Sequence, residues 1–225
     1  MSGAVARLAN AAFEALYGPG VPIYDWVSRV GFAGEWARWQ RVALRYATRA
    51  PTLEIGFGTG DLLPHLIAQG LAPVGLERSA RMIARARWKL RRDGLPLPPL
   101  IRGDVGALPF PAATFGSVVA TFPSGWVFAP GPLAEVARVL RPGGTAVFVV
   151  GGTLAPHSLG RRLRALLYTP LYGGAGELFP VPPPSTLALR WETIATAHGR
   201  AILLIGVNGA AESGQHTSDR VSSRW

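Results

Sequence analysis

The chain has 225 residues, no cysteine and a formal net charge of +10, and 48% of its residues are hydrophobic. That length suits one domain with additions and that apolar content a full core, while the missing cysteines exclude disulfides and cysteine-based metal or redox centres. The basic charge invites nucleic acid or anionic lipid as a partner, but no aromatic-interleaved basic patch accompanies it, so a nucleic-acid role is not expected.

Residues 3–17 read as an amphipathic helix with Val5, Leu8, Ala12 and Leu16 on one face. Gly18-Pro19-Gly20 breaks it, Ile23-Tyr24-Asp25-Trp26-Val27 follows, and a second helix is predicted from Glu35 to Tyr46. Residues 1–50 therefore read as a helical segment that either packs across a sheet end or covers a site as a lid. The opening residues lack the pattern of a signal peptide. A cytoplasmic location is expected, because prolines at 109, 111, 123, 130 and 132 interrupt the uncharged stretch from Val105 to Ala134.

The chain is organised around Leu53-Glu54-Ile55-Gly56-Phe57-Gly58-Thr59-Gly60-Asp61. A short apolar run, three alternate glycines and then Leu62, Leu63, Leu66 and Ile67 at helical spacing predict strand, tight turn and helix. Glycines permit positive φ and let a ligand approach without a Cβ in the way. They also bare the first amides of the following helix. A dinucleotide fingerprint would place glycine or alanine where Asp61 stands. Asp61 and Glu54 instead suit a ligand with an ammonium group.

Strand two is predicted from Ala72 to Glu77, followed by a helix capped by Ser79 with Met82, Ile83, Ala86 and Leu90 inward. Glu77 occupies the strand-end position from which a carboxylate about 20 residues after the glycines takes ribose hydroxyls. Its replacement is expected to spare the ligand-free fold. Arg81, Arg85, Arg87, Lys89, Arg91 and Arg92 read as a solvated basic face, and Lys89 is the only lysine in the chain. Strand three is Leu100 to Arg102, ahead of Gly103-Asp104-Val105, and strand four is Phe115 to Thr121. The loop from Thr121-Phe122 onward would line the reaction mouth. A helix at Leu133–Leu140, an Arg141-Pro142-Gly143-Gly144 turn and an apolar strand from Thr145 to Val150 complete this block.

Residues 151–186 are rich in glycine and proline and read as a variable, substrate-side excursion with a helix at 158–168. There Leu163, Leu166, Leu167, Tyr168, Leu171 and Tyr172 alternate with Arg161, Arg162 and Arg164, which suits a hydrophobic acceptor offered from an anionic membrane surface. A hairpin follows from Leu187–Thr196 to Arg200–Val207, and residues 209–225 read as a polar tail.

From Thr52 to Val150 the chain resembles the class I S-adenosylmethionine-dependent methyltransferases, in their small-molecule, quinone C-methyltransferase-like group. The matches are the glycine run, Glu77, Asp104 with Leu108-Pro109-Phe110, and Leu140-Arg141-Pro142-Gly143-Gly144, in order. Phe115-Gly116 departs from the usual phenylalanine-aspartate. The resemblance implies a Rossmann-like α/β fold: a seven-stranded, mostly parallel sheet over residues 51–208, helices on both faces and a C-terminal antiparallel hairpin. It implies S-adenosylmethionine as cofactor. Glu54, Gly56, Phe57, Gly58 and Gly60 would shape the methionine pocket, and Glu77 with Arg78 would hold ribose. Asp104 with Val105 would hold adenine, while Thr121, Phe122 and Tyr24 would close the site. No catalytic base is named by the sequence, and no histidine pair has metal-ligand spacing. A non-catalytic module on the same fold stays open, and so does a nicotinamide-dependent oxidoreductase, which Asp61 disfavours.

Overall fold

The computed structural model describes residues 34–154 and 185–209. Its strands are β1 Thr52–Ile55, β2 Pro73–Glu77, β3 Leu100–Arg102, β4 Phe115–Thr121, β5 Leu140–Leu154, β6 Leu187–Thr196 and β7 Gly199–Asn208. They form one sheet in the order β3-β2-β1-β4-β5-β7-β6. The first five run parallel, and β7 lies antiparallel between β5 and β6. The helices are α1 Glu35–Val42, α2 Leu63–Ala68, α3 Ala80–Arg92 and α4 Pro130–Val139. The expected Rossmann-like fold is therefore present.

Successive residues of each inner strand feed opposite faces, as the pleat requires. Val118, Ala120, Ala146 and Phe148 pack with Leu133 and Val136 of α4. Val119, Val147 and Val149 pack with Trp36 and Trp39 of α1 and Leu66 of α2. A strand buried on both faces must be apolar throughout, which is why β4 and β5 read as continuous hydrophobic runs.

Two glycines let neighbours come close. A Cβ at Gly116 would stand 2.7 Å from the Arg49 Cβ and 2.8 Å from its carbonyl oxygen. The chain before β1 passes directly over that position, so no aspartate fits there. A Cβ at Gly152 would stand 2.4 Å from the Trp39 indole. That seat brings α1 onto β5, near the carboxyl end of the parallel strands.

The expected helix at 3–17, Tyr24, Trp26, the expected 158–168 helix and the tail beyond Gly209 lie outside the described residues. Among the described residues, no helix is long and apolar enough to cross a membrane.

Candidate active site

The sheet reverses its strand order between β1 and β4. In open α/β sheets the ligand crevice lies beyond the carboxyl ends of the strands at such a point. Glu54, Glu77, Asp104 and Thr121 stand at or just beyond the carboxyl ends of four adjacent strands, β1, β2, β3 and β4.

The turn after β1 uses its glycines in two ways. Gly56, Gly58 and Gly60 have φ of 68°, 54° and 78°. A Cβ at Gly56 or Gly58 would meet nothing within 4 Å, so both border open space. At Gly60 a Cβ would stand 2.9 Å from the Ala86 Cβ and 3.1 Å from Leu63 Cδ1. Gly60 serves the packing of α3 against the turn, while Gly56 and Gly58 leave a cradle. Phe57 contributes backbone only: its carbonyl accepts from the Gly60 amide at 2.8 Å. Its ring is buried with Leu63, Ile83 and Leu100, so it does not line the cradle. Helix α2 is short and starts at Leu63, so the cradle's amides belong to the turn itself.

Glu77 is more than the free strand-end carboxylate that the sequence suggested. Its Oε2 accepts from the Gly58 amide at 3.0 Å and its Oε1 from the Ser79 amide at 2.8 Å. It ties the glycine turn to the start of α3. Glu77→Ala is therefore expected to destabilise the ligand-free protein by about 1–3 kcal/mol, because two partly buried amides lose a charged acceptor. Urea denaturation measures this, and an unchanged midpoint would return Glu77 to a purely ligand-facing role.

Glu54 is 1% exposed. Its Oε2 has no hydrogen-bond partner among the described residues. Burial first, then the nearby charges of Asp61 and Glu77, push its carboxyl well above the usual carboxylate range. A buried polar atom in this condition is costly and sets Glu54 apart from the other carboxylates of the turn.

Asp61 does not stand as an open anion. Lys89 Nζ lies 2.5 Å from Asp61 Oδ1 and 3.2 Å from Thr59 Oγ1, and Thr59 Oγ1 lies 3.2 Å from Asp61 Oδ2. Lys89 is 7% exposed, so its expected place on a solvated basic face is corrected. It sits three residues after Ala86 and seven after Met82, on the buried stripe of α3. Helical phase carried that signal, but the residue type masked it.

At the end of β4, Gln40 Nε2 donates to Thr121 Oγ1 at 3.3 Å. Phe122 takes a φ of 53°, and its ring stacks on Trp36 with centroids 3.6 Å apart. Next to this wall is a cavity of about 220 Å³ lined by Trp36, Gln40, Arg41, Asp61 and His65 among others. Burial and then Arg41 hold His65 below its ordinary pKa. No local sequence pattern singles out this histidine or pairs Trp36 with Phe122. Asp104 is exposed, and its Oδ1 accepts from the Gly106 amide at 2.8 Å. Val105 packs on the core beside it. Arg78 is exposed, and its carbonyl accepts from Arg102.

Residues 53–148 match the model of a methyltransferase domain. The chain is 40% identical over 129 residues to a phosphatidylethanolamine N-methyltransferase of Cereibacter sphaeroides, covering 56% of this chain and 62% of the relative. It is 32% identical over 169 residues to the ubiquinone/menaquinone biosynthesis C-methyltransferase UbiE of Geobacter sulfurreducens, covering 70% and 64%. The chain thus spans just under two thirds of the length of these two relatives. A solved structure from Methanococcus maripaludis superimposes with a TM-score of 0.58 at 18% identity, covering 87% of this chain and 94% of the other. A SAM-dependent methyltransferase from Aquifex aeolicus gives 0.53 at 13% identity, covering 84% and 97%. At such identities these two speak for the fold. Residues 53–148 thus match a methyltransferase domain, on a fold similar to those of the two solved structures.

Proposed function

We propose that the chain transfers the methyl group of S-adenosylmethionine to a small, hydrophobic acceptor. The observation that carries this reading is the open cradle at Gly56 and Gly58 together with the buried Glu54 Oε2, which has no partner among the described residues. Both features suit the methionine end of the cofactor. Glu54 would take its amino group and Glu77, with Arg78 alongside, its ribose hydroxyls. Asp104 would take the adenine amino group, with Val105 beside the ring. S-adenosylmethionine supplies an electrophilic methyl for in-line displacement. The chain's part is to hold the partners in line and keep water out.

Trp36, Trp39 and Phe122 supply an apolar wall where β4 ends, and such walls suit apolar ligands. The names of the two relatives, one for a phospholipid and one for quinones, support the same acceptor class. Contact with an anionic membrane surface forms part of the proposal. Its support among the described residues is α3, where Arg85 and Arg92 flank the exposed Trp88 at 4.4 and 4.8 Å.

The test uses cofactor labelled on its methyl group, offered with lipid vesicles, quinones and water-soluble acceptors. Label is expected in the organic phase, with the protein pelleting on anionic vesicles. Label confined to water-soluble products would overturn the hydrophobic part. Tight cofactor binding with no transfer to any acceptor would favour a binding module instead.

A further inference from the structure

We propose that Lys89 is a positioning residue of the cofactor site: by occupying Asp61 it reserves Glu54 as the carboxylate that receives the cofactor's amino group. The inference rests on the cofactor reading above and adds a specificity device to it.

Three carboxylates gather around the glycine turn, namely Glu54 on β1, Glu77 on β2 and Asp61 at the turn's end. Glu77 is held by two backbone amides. Asp61 is held by Lys89 and Thr59. Of the three, Glu54 alone keeps a buried oxygen without a partner among the described residues. An incoming ammonium group therefore has one carboxylate oxygen whose bonding it completes and two carboxylates already engaged. A compact ammonium on a long flexible stem suits this buried task better than a guanidinium fork. In a chain whose other basic side chains are arginine and histidine, the single lysine stands here.

Proton linkage makes the device measurable. Glu54 must give up its proton to pair with an ammonium group. Its carboxyl is held above the usual range by burial, then by Asp61 and Glu77. Lys89 screens the Asp61 contribution. Among the described residues, His65 on α2 and Arg41 on α1 are the other titratable or charged groups that line the cavity beside Asp61. Asp61 also raises the pKa of His65, so the variants are compared in a His65→Asn background as well, where only the Glu54 titration remains to be displaced. Binding should release a proton and weaken as pH falls through the Glu54 titration.

The experiment is calorimetric titration of the full chain with S-adenosylhomocysteine from pH 5 to 9, in buffers of different ionisation enthalpy. In Lys89→Met the Asp61 charge loses its counter-ion, so the pH midpoint of binding should rise by about one pH unit. In Asp61→Asn the midpoint should fall, because the repelling charge is gone while the cation stays. The double variant Lys89→Met/Asp61→Asn removes both charges at once and should return close to the wild-type midpoint. A merely structural role would lower thermal stability in each variant without opposite displacements of the midpoint. If Lys89→Met does not fold, the sign of the Asp61→Asn displacement and the double variant still decide. Binding by the wild type with an unmoved midpoint in the variants would overturn the proposal. Failure of the wild type to bind would overturn the cofactor reading itself.

Discussion

Gly58→Asn is expected to abolish measurable binding of S-adenosylhomocysteine while leaving the ligand-free protein folded. At φ 54° an asparagine is tolerated, since its short polar side chain visits the left-handed region. Its Cβ would meet nothing within 4 Å. The side chain would fill the cradle and not the core. The expected stability cost is about 1 kcal/mol, or roughly 2–4 °C of melting temperature for a domain of this size. Gly60→Ala is the matched control with the opposite profile. There φ is 78°, and the added Cβ would stand 2.9 Å from the Ala86 Cβ. Backbone strain and overpacking together should cost about 2–4 kcal/mol. Melting curves and calorimetry on the two variants separate cradle from packing. Equal affinity in Gly58→Asn and wild type would remove the turn from the site.

Glu54→Gln is expected to stabilise the ligand-free protein at neutral and alkaline pH and to weaken cofactor binding. The sign follows from the direction of the Glu54 displacement. Its folded-state value lies above the unfolded one. The stability it contributes is therefore complete below about pH 4.5 and is lost as pH rises through the folded value. In that window the wild type should lose up to about 1.4 kcal/mol per pH unit from this group. A neutral glutamine removes the loss, so the two melting curves should diverge as pH rises. Binding should fall by roughly 1.5–3 kcal/mol, the range for a hydrogen bond to a charged group. Parallel melting curves from pH 4 to 9 would show that the buried carboxyl carries no such cost.

The parts most legible in the sequence were those set by a single local rule. Strand β4 falls at its predicted span, because an inner parallel strand must be apolar on both faces and end in turn residues, and the edge strand β3 falls at its predicted span too. Ser79 caps α3 as expected, accepting from the Met82 amide. Boundaries slipped where a residue has two meanings. Pro130 and Pro132 read as breakers, yet α4 starts at Pro130, since proline is well placed in a first helical turn. Strand β5 extends from Leu140 to Leu154, beyond the predicted Thr145–Val150, because β4 and β7 pair with it on either side. At the site, the glycine run and Glu54 and Glu77 could be found from spacing, but their partners could not. The Gly58 amide reaches Glu77 across 19 residues, and Lys89 reaches Thr59 across 30. Such bonds depend on how β2 and α3 settle against the turn, which no local pattern encodes.

In the proposed function, the turn at Gly56–Gly60 holds the cofactor together with Glu54 and Glu77. A crystal structure of the complex with S-adenosylhomocysteine tests it most directly. The ligand's amino group is expected within hydrogen-bond distance of Glu54 Oε2. The homocysteine chain should lie over Gly56 and Gly58, and the ribose hydroxyls on Glu77. A ligand bound elsewhere, with Glu54 Oε2 still buried and unpaired beneath an empty turn, would contradict it.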